Sequence, residues 1–127
     1  MKWVLWLNTI AETVIAVGMF SVPASFFPGA VGLPAAIARA FSFAILTVAF
    51  ISFTLTRKDT SADTLKNGVV ILTVYHALQL IAQFVIAGMH PPLLIPPVVI
   101  HTVFSALFVT YLVRLIKQGG GEEGAHG

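Results

Sequence analysis

The stretch NGVVILTVYHALQLIAQFVIAGMHPPLLIPPVVIHTVFSALFVTYLV, residues 67–113, runs for 47 residues without one Asp, Glu, Lys or Arg. A helix needs about 20 apolar residues to cross about 30 Å of hydrocarbon, so this length predicts two spans rather than one. The break between them is written in Gly88-Met89-His90-Pro91-Pro92 and again in Pro96-Pro97. Proline lacks the amide proton and clashes with the preceding turn, so this cluster ends one helix and starts the next.

Working outward, the charged segment Arg57-Lys58-Asp59 to Asp63 and Lys66 closes this region at its start, and Arg114 and Lys117 close it at its end. Upstream lie two more apolar runs, Trp3–Val22 and roughly Gly32–Thr56, separated by Val22-Pro23-Ala24-Ser25-Phe26-Phe27-Pro28-Gly29. The expectation is an all-α integral membrane protein, an antiparallel four-helix bundle over residues 1–117. Its spans fall near 3–22, 32–56, 67–89 and 93–116. Residues 118–127, with four glycines among the first seven and no apolar periodicity, read as a flexible tail. Continuous rather than alternating apolar runs argue against a β-barrel. The run from Lys2 to Val22-Pro23-Ala24 imitates a signal peptide, but Asn8 and Glu12 inside its core favour a retained helix.

Composition agrees: 57% of residues are hydrophobic, 9% are charged and the mean hydropathy is +0.94. The net charge of +2 rests on seven basic residues with no cluster able to follow a phosphate backbone, which excludes nucleic acid as a partner. Having no cysteine, the chain has no disulfide, thiol nucleophile or Cys-ligated metal. Lys2, Arg57, Lys58, Lys66, Arg114 and Lys117 fall on one side of the four spans, and neither proline-rich turn holds a Lys or Arg. By the positive-inside rule both termini face the cytoplasm, placing the chain in an inner (plasma) membrane. Trp3, Trp6, Tyr111 and Phe26-Phe27 suit interfacial anchoring.

Each span carries one ionisable residue: Glu12, Arg39, His76 and His101. Counted from the outer turns, all four fall roughly 12–20 Å deep at 1.5 Å per residue, near the bilayer centre. A lone charge there costs about 2.5–3.5 kcal/mol, so Glu12 and Arg39 are expected to face inward and to pair. The midpoint of 12 and 39, 25.5, lies near the middle of their turn and would set them level. Such a pair either fixes the register of the first hairpin or serves binding or proton transfer.

Polar neighbours extend the layer. Asn8 precedes Glu12 by one turn and Ser42 follows Arg39 by one. Thr73, His76, Gln79 and Gln83 form a stripe, and His101 shares a face with Ser105. The alternative for these groups is hydrogen bonding between membrane helices, worth about 1 kcal/mol or less each, with no ligand. No cofactor is expected. His76 and His101 could in principle hold a b-type haem axially, but counting from Met89 and from Leu93 puts them at different depths. A metal held with Glu12 lacks any His-Glu-x-x-His or Glu-x-x-His spacing. A proton-accepting or hydrogen-bonding role for His76 fits imidazole better. His90, at the outer turn, reads as solvated.

Two resemblances add to this. Ile10-Ala11-Glu12-Thr13-Val14-Ile15 resembles the first helix of the small multidrug resistance transporters, which implies an exchange carboxylate at Glu12. That family's Trp-Ser-Gly-x-Gly segment has no counterpart here, and Arg39 departs from its pattern. More of the chain, through Ala38-Arg39-Ala40-Phe41-Ser42-Phe43-Ala44, Arg57-Lys58, Tyr75-His76 and His101, resembles small bacterial DoxX-like four-helix proteins, which implies an architecture and a bacterial inner membrane.

The sequence thus predicts a polytopic membrane protein that binds a small apolar or amphipathic ligand at Glu12, Arg39, His76, His101, Asn8, Gln79 and Gln83. The alternatives are a proton-coupled transporter working as a homodimer and an accessory subunit. Catalysis has no nucleophile with an adjacent base, carboxylate pair or phosphate loop behind it.

Overall fold

The computed structural model describes residues 1–27, 31–86 and 95–119. They form α1 (Lys2–Ser21), α2 (Pro23–Phe26), α3 (Leu33–Leu55), α4 (Ala62–Ile86) and α5 (Ile95–Gly119). All but the four-residue α2 are long and apolar enough to cross a membrane. The chain divides into two compact units, Lys2–Lys58 and Asp59–Gly127.

In the first unit α1 packs on α3. Val4, Leu5, Asn8, Glu12, Ala16 and Met19 are the buried residues of α1, one per turn at the helical period. On α3 the buried stripe is Ala35, Ala38, Ser42, Ile45, Ala49, Ser52 and Leu55. Five of these seven are Ala or Ser, and small side chains let helix backbones approach where lipid removes the hydrophobic drive. Three side chains fix the register by reaching backbone carbonyls across the pair. Lys2 Nζ donates to Thr56 O (3.4 Å) and Arg57 O (2.5 Å), Ser52 Oγ to Leu5 O (3.0 Å), and Arg39 Nε to Phe20 O (3.2 Å). Residues near the start of α1 thus meet the end of α3, and the reverse, so the two helices run antiparallel.

Between α1 and α3 the expected break contains a helical turn. Pro23 opens α2, where its missing N–H costs nothing, and Phe27 N closes it on Pro23 O at 2.9 Å. The α2 turn lies against α1 so closely that a Cβ on Gly18 would come within 3.0 Å of the Phe26 ring. Phe26 also packs on the apolar cluster of Ala16, Met19, Ala38 and Ile45. Gly32, the N-cap of α3, has φ +59°, a conformation that other residues rarely adopt.

In the second unit α4 packs on α5. α4 begins at Ala62, five residues before the span expected from hydropathy. Ser61 caps it: its Oγ accepts from Thr64 N at 3.2 Å and donates to Thr64 Oγ1 at 2.8 Å. Asp63 in the first turn suits the positive end of the helix dipole, so the charged segment starts the helix instead of merely preceding it. α5 continues through Gly119, so the first two residues of the expected flexible tail are helical, while 120–127 lie outside the described residues. The turn at Pro91-Pro92 and His90 lies outside them too. Val69, Leu72 and His76 on α4, and His101, Phe104, Phe108 and Tyr111 on α5, form buried stripes at spacings of three and four.

Candidate functional site

The buried polar residues within the spans are Asn8, Glu12, Ser42, Ser52, His76 and His101. On α1, Asn8 and Glu12 sit one turn apart on the buried stripe, at 0% and 1% exposure. Nothing on α1 but its own periodicity is needed to put them there, since they continue the line of Leu5, Ala16 and Met19.

Arg39 takes a different position from the one expected. Its side chain is exposed, and its Nε donates to the carbonyl of Phe20, the penultimate residue of α1. The four cross-helix bonds have midpoints at 29, 29.5, 28.5 and 29.5, so the hairpin is centred near position 29 instead of 25.5. On that register Glu12 is level with residue 46, two helical turns from Arg39, or about 10 Å at 1.5 Å per residue. The expected Glu12–Arg39 ion pair is therefore absent. Arg39 satisfies a carbonyl at the end of α1, where four such groups lack intrahelical partners and a positive charge meets the negative end of the dipole. Ser42, one turn on, is buried but spends its hydroxyl on Arg39 O at 2.6 Å.

His76 and His101 do come together. Their Nδ1 atoms lie 3.0 Å apart and their rings 5.3 Å apart with a 43° tilt, at 0% and 6% exposure. At that distance one Nδ1 carries the proton and donates while the other accepts. The neutral pair is thus one Nδ1–H imidazole bonded to one Nε2–H imidazole. The different depths expected for the two residues are corrected: they are level. Applied to 76 and 101, the midpoint rule gives 88.5, inside the connection, whereas separate counts from Met89 and Leu93 offset them.

Aromatic rings frame the pair. His76 stacks on Phe104 (5.0 Å, 20°) and Phe108 (5.4 Å, 18°), which stack on each other at 6.1 Å, and Tyr75 stands edge-on to both imidazoles at 5.0 and 6.2 Å. These rings escaped the sequence reading, although His101, Phe104 and Phe108 at spacings of three and four already place them on one face. Ser52 was also missed, and only the register of the hairpin reveals its bond to Leu5. Gln79 and Gln83 are half-buried further along α4. Thr73 closes on its own helix, Oγ1 to Val69 O at 2.7 Å. Ser105 Oγ is buried with no hydrogen-bond partner among the described residues.

In this arrangement the two Nδ1 atoms bond each other. The arrangement sets a buried polar pair among aromatic rings, and a proton added to it would go to an outer Nε2, since the Nδ1···Nδ1 bond already holds one. No family model, curated protein or solved structure shows a significant match to the chain.

Proposed function

We propose that this multi-pass protein binds a small apolar or amphipathic ligand whose single polar group hydrogen-bonds the His76–His101 pair. The observation that carries this reading is the buried Nδ1–Nδ1 contact at 3.0 Å among Tyr75, Phe104 and Phe108. Ligand sites in apolar surroundings characteristically combine aromatic walls with a few convergent polar groups. Gln79 and Gln83 extend the polar stripe of α4, while Asn8 and Glu12 form a separate buried polar point on α1 of the first unit. In the membrane the four spans alternate in direction, with both termini in the cytoplasm of a cell whose inner membrane holds the protein. The meeting of Lys2 with the carbonyls of Thr56 and Arg57 supports this by gathering basic residues at one end of the first hairpin.

Native mass spectrometry of the protein in mild detergent tests the ligand. A discrete added mass that His101→Leu removes is the expected result. An unchanged added mass in His101→Leu, or an empty wild type under conditions that preserve lipid adducts on other membrane proteins, would overturn it.

Proton-coupled transport by a homodimer is the second reading, favoured by the capacity of an N–H···N pair to take up one proton. It requires pH-dependent flux in liposomes that disappears in Glu12→Gln and in His101→Leu. The resemblance of the first helix to small multidrug resistance transporters points the same way.

A further inference from the structure

Arg39 and the surface beside it carry an inference independent of the histidine pair. Between Lys2 and Lys58 the sole carboxylate is Glu12, two turns away from Arg39 on the hairpin register. The arginine therefore has no side-chain counter-ion within its own unit. One of its five N–H donors is spent on Phe20 O, and the Nη groups bond no other described residue. α1, 20 residues long, measures about 30 Å, the thickness of the hydrocarbon, so a guanidinium at its last turn stands at the edge of the headgroup layer.

One turn along α3 from Arg39, and walled in part by the Phe20 it bonds, opens a groove of about 210 Å³ lined by Ala16, Phe20 and Ser21 of α1 and by Ser42, Phe43 and Leu46 of α3. Phe20 and Phe43 meet edge to face across it at 5.6 Å. The groove runs from the level of Arg39 towards Leu46, deeper in the span. Phe20, Phe43 and Leu46 are all exposed, so the groove is open along the surface of the hairpin. Its volume falls below the about 300–1,000 Å³ of pockets for whole drug-sized ligands and suits part of one acyl chain.

We infer that this groove and Arg39 form a binding site for one anionic phospholipid of the surrounding leaflet. The phosphodiester takes the Nη face of Arg39 in the two-pronged geometry that guanidinium offers and ammonium does not. An acyl chain lies along Phe20, Phe43 and Leu46, and Ser21 offers a hydroxyl at the level of the headgroup. The net negative charge of the lipid supplies the counter-ion missing from the hairpin.

The test uses the whole protein in nanodiscs containing phosphatidylcholine and phosphatidylglycerol of matched chains, followed by release and native mass spectrometry. Wild type is expected to retain one phosphatidylglycerol with a preference of about tenfold over phosphatidylcholine. R39Q is expected to lose the preference, and R39K, a point charge without the fork, to keep only part of it. L46W, which fills the groove with Arg39 intact, is expected to lose the retained lipid and decides the matter if R39Q fails to fold by circular dichroism. Equal retention of the two lipids by wild type, or wild-type preference in either R39Q or L46W, would overturn the assignment.

Discussion

The two helical units join their helices by different means. α1 and α3 are tied at three levels by side chains that reach backbone carbonyls, from Lys2 at one end through Ser52 to Arg39 at the other. α4 and α5 are joined by a bond between two side chains, set in a stack of rings. A backbone carbonyl is present whatever the residue that bears it, so the first arrangement spreads its register over several tolerant contacts. The second concentrates it in groups whose identity matters at both ends. Single substitutions should accordingly weigh more heavily on the second unit than on the first.

The sharpest way to break that contrast is Phe108→Ala. Phe108 is fully buried against His76 and Phe104, and truncating a core Phe costs about 3–5 kcal/mol in water-soluble proteins. Lipid rather than water receives the exposed surface here, so about 2–3 kcal/mol is expected from unfolding in mixed micelles, and a loss near zero would deny the ring stack any role in holding α4 to α5. Next comes His101→Leu, which strips His76 of its Nδ1 partner at an expected cost of about 1–2 kcal/mol. His76→Leu combined with His101→Leu should cost less than the two single changes together, because no imidazole is then left with a severed bond. A double-mutant cycle measures this, and strict additivity would mean that the two rings do not act as a pair.

In the first unit Ser52→Ala should cost only about 0.6 kcal/mol, the average for a hydrogen bond between membrane helices. A loss above that of His101→Leu would reverse the comparison. The smallest effect belongs to Gly18→Ala. The added methyl meets the far end of the Phe26 side chain, which can swing aside, so the change should stay within about 0.5 kcal/mol and appear instead as altered accessibility of a probe at residue 26.

The four long helices were legible because charge is strongly excluded from them and because charge clusters and proline-rich turns alternate as the breaks between them. One boundary, the start of α4, was hidden because hydropathy reads Asp63 and Lys66 as loop, whereas Ser61 and Thr64 carry the capping signal that outweighs it. Within the spans, the ionisable residues could be picked out singly but their pairing could not. Register depends on how many residues the connection consumes, and α2 together with the late start of α3 at Leu33 moved the centre of the first hairpin by more than three positions. That shift separated Arg39 from Glu12 and carried it from the expected middle of the span to the end of α1. The aromatic frame of the histidines was present in the spacing of His101, Phe104 and Phe108, but aromatic residues are so common in apolar spans that nothing in the sequence marks these two out.

The bond between His76 and His101 links two chemically identical groups, and so has no intrinsic direction. Moving the proton across it, with the matching exchange at the outer nitrogens, reverses the electric dipole of the pair while leaving every heavy atom in place. Residue identity does not choose between the two forms; the surroundings of each ring do. Which of the two forms is present is readable through the nitrogen chemical shifts of the two rings.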